Sequence, residues 1–260
     1  MARSTFYYQQ KVLQTADRYA PLKARICALF ETHKGRYGYR RITAAIRQQG
    51  HRINHKTVQR LMGELRLKSY VRIKKYRSYK GAAGSVAPNV LQRQFDAQRP
   101  NQKWVTDVTE FDVNGQKLYL SPILDLYNGE IIAYEMARRP WFGLVTTMLK
   151  KAFTRLGPQD KPILHSDQGW QYQMNAYSRL LDQHALTASM SRKGNCLDNA
   201  AMESFFGTLK SEFFYLNKFR SVDQLQAGLR DYIDYYNHDR IKLKLNGLSP
   251  VKYRTQFDGV

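Results

Sequence analysis

The chain has 260 residues, 43% of them hydrophobic, and carries 42 Lys and Arg against 21 Asp and Glu, a formal net charge of +21. This length supports one sizeable core with smaller attachments, and two cysteines, Cys27 and Cys196, exclude a disulfide framework. No apolar run approaches the ~18 residues of a membrane span and no short apolar segment with a cleavage site opens the chain, so an intracellular protein that stays off membranes is expected.

The charge is unevenly spread. Residues 1–100 hold 22 basic and 4 acidic side chains, whereas residues 101–260 hold 20 and 17. The first hundred residues therefore read as an electrostatic footprint for a polyanion and the rest as an ordinary globular domain. Nucleic acid is favoured over an acidic membrane because no lipidation motif or amphipathic anchor accompanies the charge.

Residues 20–65 contain three amphipathic helical patterns. Leu22, Ile26, Leu29 and Phe30 form the first stripe, Ile42, Ala45 and Ile46 the second, and Val58, Leu61, Met62 and Leu65 the third. Gly50 breaks the second helix and Asn54 is a good N-cap for the third, so the last two helices have the spacing of a helix-turn-helix. The third helix turns Lys56, Gln59, Arg60 and Glu64 outward, where the first three are candidates for DNA contact. Zinc is not expected: His33, His51 and His55 are accompanied only by Cys27, with no C-x-x-C pair.

Residues 66–101 read as a basic, tyrosine-rich linker between a helical domain at 1–65 and a larger domain at 102–260. Lys74 and Lys75, interleaved with Tyr70, Tyr76 and Tyr79, suit contact with a phosphate backbone and exposed bases. Beyond Lys103 the period changes to that of strands. Val105–Val113, Leu118–Leu126 and Ile131–Met136 are three consecutive strands, the last two joined through Asn128-Gly129. A helix over about 142–155, a strand at Pro162–His165, a helix over about 173–184 and a strand at Leu186–Met190 follow. Two long helices, about Asp198–Phe214 and Val222–Asn237, complete the order. This describes an α/β sandwich on a mixed, five-stranded, ribonuclease-H-like sheet.

Three carboxylates stand out in this frame. Asp107 and Asp167 close strand-like runs, Glu203 lies on a helix, and thirty-five residues separate Asp167 from Glu203. Hard oxygen ligands without histidine suit Mg²⁺ or Mn²⁺, and a pair of such ions clamps the attacking and leaving oxygens of a phosphodiester. At about 100° per residue, Gly207 and Lys210 share the face of Glu203, offering a close approach and a phosphate-binding cation, while Asp198 and Glu212 point away. Asp125, at a strand end before a turn, reads as a turn residue, and His165 as a residue that either supports the ligands from behind or packs beside Asp167. Ser191-Arg192-Lys193-Gly194-Asn195-Cys196 reads as a loop over the site, ordered by DNA, with Arg192 and Lys193 its candidate contacts.

These residues carry a family likeness. Tyr37-Gly38-Tyr39-Arg40-Arg41-Ile42, Trp104-Val105-Thr106-Asp107-Val108-Thr109, His165-Ser166-Asp167-Gln168-Gly169 with Gln171-Tyr172, Ser191-Arg192-Lys193-Gly194-Asn195, Asp198-Asn199-Ala200, Glu203-Ser204-Phe205-Phe206 with Lys210, Tyr236-Asn237, Arg240 and Leu248-Ser249-Pro250 run almost from end to end. The chain resembles the OrfB-type transposases of the insertion-sequence-three family, whose catalytic fold is shared with retroviral integrases. The resemblance implies a DDE transposase with two Mg²⁺ ions, replaceable by Mn²⁺: Asp107 bridges both, Asp167 completes one site and Glu203 the other. It implies nicking by water to free a 3′-OH, direct attack by that hydroxyl on another phosphodiester, and no covalent protein–DNA intermediate. It adds Arg40 and Arg41 to the DNA-contact candidates. The implied partners are terminal inverted repeats and target DNA, a second copy of the chain, and an upstream-frame OrfA-type protein, either separate or fused to this chain, in the nucleoid of a bacterial cytoplasm. The alternatives are a nuclease of the same fold and a DNA-binding regulator or incomplete subunit.

Overall fold

In the computed structural model, residues 3–7, 17–70, 87–192 and 196–258 are described. The chain divides into two compact units, Met1–Val71 and Arg72–Val260.

The first unit is helical. Helices α1 (Ala20–Thr32), α2 (Tyr39–Gln48) and α3 (His55–Glu64) bury the expected stripes, with Ile26, Ile42, Ile46, Val58 and Leu61 fully enclosed. Asn54 caps α3, its Oδ1 accepting the Lys56 N–H at 2.9 Å, and Gly50 leaves α2 with φ +86°. Residues 66–70, expected to begin the linker, instead return to this unit. The Tyr70 N–H donates to the Gly35 carbonyl at 2.8 Å, and its ring lies where a Cβ on Gly35 would stand, edge-on to Phe30. Gly35 also has φ +69°, so a side chain there is excluded twice over.

The second unit is the α/β sandwich. Strands β1 (Lys103–Thr106), β2 (Thr109–Val113), β3 (Gln116–Asp125), β4 (Ile131–Ala137), β5 (Ile163–Ser166) and β6 (Thr187–Met190) form one mixed sheet. The single first strand expected over Val105–Val113 is broken: β1 and β2 both pair antiparallel with β3, end to end along one side, while β4 takes the other side. Six strands thus occupy five rows. The break falls at Asp107-Val108, where the Asp107 carboxylate accepts the Val108 N–H at 2.7 Å and withdraws it from the ladder. Beyond β1 the sheet is parallel, with Val105 opposite His165 and His165 opposite Ser189.

Alternation along β1 feeds two cores. Trp104 packs with Val145, Met148 and Leu149 of α4 (Phe142–Phe153) and Leu181 of α5 (Asn175–Gln183). Val105 packs on the other face with Met202, Phe205 and Leu209 of α6 (Ala200–Glu212) and Leu225 and Leu229 of α7 (Val222–His238). A further helix, α8 (Pro250–Asp258), which no periodicity announces, sends Arg254 to Asp125 and Glu130.

Residues 87–101, the second part of the expected linker, also belong to this unit. Leu91 is 1% exposed within the α6–α7 core, and the Val90 and Leu91 N–H groups donate to Ser189 Oγ at 3.0 and 3.1 Å. Leu91→Ala is therefore expected to destabilise the chain by about 2–5 kcal/mol in chemical denaturation. A tether residue would leave the midpoint unchanged.

Candidate metal centre and nucleic-acid interface

Parallel register builds the site. Carried two residues beyond Val105, His165 and Ser189, the shared register of β1, β5 and β6 reaches Asp107, Asp167 and Ser191 on one rim, at the carboxyl ends of the strands. Each acid is fixed by the backbone that follows it. Asp107 Oδ1 holds the Val108 N–H, and Asp167 Oδ1 holds the Gly169 N–H at 2.9 Å. The second oxygen of each is thereby oriented by a rigid turn. Glu203 stands on the first turn of α6.

The electrostatics record how close the acids are. Burial, then the charge of Asp167, pushes the Asp107 carboxyl up to about 8; Glu203 adds to the rise, while the Val108 N–H and Lys210 oppose it. Burial also raises Asp167 and Glu203. The buried rings of Tyr172 and Tyr177 meet edge-on at 5.4 Å beneath this rim, and burial with the Asp107 and Asp167 charges holds the Tyr172 phenol well above its ordinary value. Like charges over an apolar floor call for a cation, and an all-oxygen donor set matches a hard divalent ion. Among the described residues, no three carboxylate, imidazole or thiolate side chains stand close enough to grip a metal as they are. The acids share a rim rather than a finished cage.

Lys210 lies two turns beyond Glu203, its Nζ 5.3 Å from the centroid of the Phe111 ring, and a Cβ on Gly207 would meet nothing within 4 Å. Asp125 belongs elsewhere: fully buried, it accepts the Asn101 and Tyr127 N–H groups at 2.9 Å each and pairs with Arg254. His165 is enclosed between Ser189 Oγ at 2.8 Å and Ser191 Oγ at 3.0 Å, and burial lowers it to about 4, so it is a neutral packing residue.

Known proteins match this architecture along the chain. Two integrase core domain models cover residues 97–196 and 203–257, and an HTH-like domain model covers residues 17–75. The putative transposase InsK for insertion sequence element IS150 of Escherichia coli strain K12 is 57% identical over 254 residues, spanning 98% of this chain and 90% of that protein. The transposase InsF for insertion sequence IS3A of the same strain is 35% identical over 234 residues, 89% of this chain and 81% of that one. The chain belongs to the IS3 family of transposases. Among solved structures, the HTLV-2 integrase catalytic core domain in complex with magnesium, in its trimeric form, aligns at a TM-score of 0.49 and 16% identity, over 60% of this chain and 98% of that one.

In the transposase's helical unit Lys56, Gln59 and Arg60 are exposed on α3; Arg60 pairs with Glu64 and lies 5.0 Å from the centroid of the Tyr19 ring. Arg40 is exposed beside the Tyr39 ring, and Arg41 lies over the Tyr37 ring at 5.5 Å. Lys74, Lys75 and Lys193 lie outside the described residues.

Two neighbours of Glu203 carry more than the sequence suggested. The Asn199 Nδ2 donates to the Thr106 carbonyl at 3.1 Å, tying the start of α6 to the residue before Asp107. Asp198, which helix geometry had only set aside, is a buried hub: it accepts the Arg192 backbone N–H, the Arg192 guanidinium, Arg93 and Asn89. Their appearance together in the Asp198-Asn199-Ala200 motif was the available signal. No sequence rule names partners about a hundred residues away.

The Arg192 guanidinium holds the Asp198 carboxyl far below the usual carboxylate range. A depressed carboxylate stabilises the fold above its unfolded pKa of about 3.9 and loses that contribution as pH falls toward its folded value. Asp198→Asn should thus lower the melting temperature at pH 7, with the gap to wild type narrowing as pH drops below about 4. A gap independent of pH would show that the charge contributes nothing.

Proposed function

We propose that this transposase cuts the 3′ ends of its element and joins them to target DNA at the rim formed by Asp107, Asp167 and Glu203, with two divalent cations, Mg²⁺ or Mn²⁺, held by these acids. The observation that carries this reading is the parallel register of β1 and β5, which ends both strands in a carboxylate at the same level, with Glu203 close enough to influence Asp107. Asp107, on which the charges of both other acids act, would be shared between the ions, with Asp167 and Glu203 each helping to hold one. When bound, two such ions neutralise charge on the attacking and leaving oxygens of an in-line displacement.

The chain's own groups supply positioning. The Val108 and Gly169 N–H groups each occupy one oxygen of an acid and direct the other toward the rim. Lys210 holds a phosphate beside Asp107, and Gly207 leaves room for the backbone of the DNA to approach α6. Tyr172 and Tyr177, both buried, make a dry floor that strengthens every charge interaction above it. No serine or tyrosine nucleophile is needed, because the 3′-OH of the DNA is itself the attacking group in joining.

The helical unit reads the element's terminal repeats through Lys56, Gln59 and Arg60 of α3, supported by Arg40 and Arg41; Lys74, Lys75, Arg192 and Lys193 hold phosphates. Work on paired DNA ends calls for at least two copies of the chain, in the nucleoid of a bacterial cytoplasm; the family likeness adds an OrfA-type upstream-frame protein, either as a separate partner or fused to this chain. No described helix is long and apolar enough to cross a membrane.

Asp167→Asn is expected to reduce cleavage and strand transfer of labelled element-end DNA by at least roughly 10²-fold while leaving binding near the wild-type level. Wild-type turnover by that variant would overturn the reading.

A further inference from the structure

The strongest cationic feature near the acids is an arrangement rather than a cluster. Arg192 follows Ser191 on the rim that the parallel register reaches at Asp107 and Asp167. Its side chain is 60% exposed, yet its guanidinium is fixed: Nε lies 3.0 Å from Asp198 Oδ2 and Nη2 lies 3.1 Å from Oδ1. Arg93, 44% exposed, places its Nε 2.8 Å from the same Oδ1. The two guanidinium groups therefore share one oxygen of a side chain that is itself 0% exposed. Asn89 Nδ2 at 3.1 Å and the Arg192 backbone N–H at 3.0 Å complete the acceptor's set on Oδ2.

Charge and valence both leave a surplus. One carboxylate faces two guanidinium groups, so the assembly is a net cation. Asp198 has used its lone-pair sites, and so is unsuited to bind a metal or take a proton. An arginine has five N–H donors in a planar fork; Arg192 commits two of its nitrogens to Asp198 and Arg93 commits one. Both side chains keep much of their surface in solvent. A structural tie between residues 87–93 and the start of α6 would require one arginine. Two, pre-oriented by a buried anion, match the forked geometry of a phosphodiester and bind it with little further loss of side-chain freedom.

We infer that Arg93 and Arg192, held side by side by Asp198, form a clamp for a backbone phosphate of the DNA strand passing over the acidic rim. The clamp offsets the repulsion that Asp107, Asp167 and Glu203 exert on an approaching polyanion. Asp198 is its positioning residue. This rests on DNA being the substrate and not on the number of metal ions.

The test is anisotropy of a labelled duplex titrated with the full chain in chelator across a salt series, so that failure of the metal reading, which shows in metal binding and cleavage, is separate. The Arg93→Gln, Arg192→Gln double variant should lower the steepness of log affinity against log salt by about 0.9, because the pair holds one phosphate, and each single Gln variant should lower it by part of that. Arg93→Lys and Arg192→Lys should keep the wild-type steepness. Asp198→Asn should weaken binding with the steepness unchanged, since it removes orientation and not cations. Wild-type steepness in both Gln variants, with or without a fall in melting temperature, would overturn the clamp and leave only a structural tie.

Discussion

Like charges held at the ends of parallel strands are the constraint on which the rest of the second unit depends. Register leaves no choice about where Asp107 and Asp167 lie once Trp104 and Val105 have been committed to opposite cores, because a slip of one residue would exchange those faces. The cost is visible in Asp107, whose carboxyl rises to about 8 through burial and the neighbouring Asp167 charge. A fold that maintains such a pair at a partly buried rim is built for a counter-charge, and the cations around it form a graded set. Lys210 stands close enough to influence Asp107, and Arg93 and Arg192 are tied to Asp198 further along the rim.

The supports of the rim reach across the whole unit. Asn199 joins α6 to β1, Ser189 joins β6 to residues 90 and 91, and Asp198 joins that same strap to the start of α6. On the far side Arg254 pairs with Asp125 and Glu130 beneath the β3–β4 turn, and Arg240 pairs with Glu212 where α6 ends. Buried pairs of this kind add little net stability, but loss of one partner strands the other, so they fix geometry. Glu203 is thus carried by a helix anchored at both ends, which suits a group that must meet the others at one point.

Much of this was legible in the sequence because the acids terminate apolar runs whose period is that of a strand. Trp104–Asp107 and Ile163–Asp167 announce themselves in that way, as does the stripe of Met202, Phe205 and Leu209 beside Glu203. The helical unit was equally readable from Ile26, Ile42, Val58 and their neighbours. What escaped notice depends on partners distant in the chain. Leu91 is a lone apolar residue in a polar stretch and joins the core only through Ser189 and α6–α7, so the strap looked like tether. The break at Asp107-Val108 arises from a side chain capturing the next N–H, which alternation of polarity does not reveal. Helix α8 has a weak apolar face and is held by Arg254.

The most direct measurement is the binding of Mn²⁺, followed by the loss of its free electron paramagnetic signal, to the wild-type chain and to Asp107→Asn in the absence of DNA. The wild type should deplete the signal saturably, and the variant, missing the acid proposed to be shared between the ions, should do so far less. Equal depletion by the two proteins would contradict the claim that this rim is a cation site.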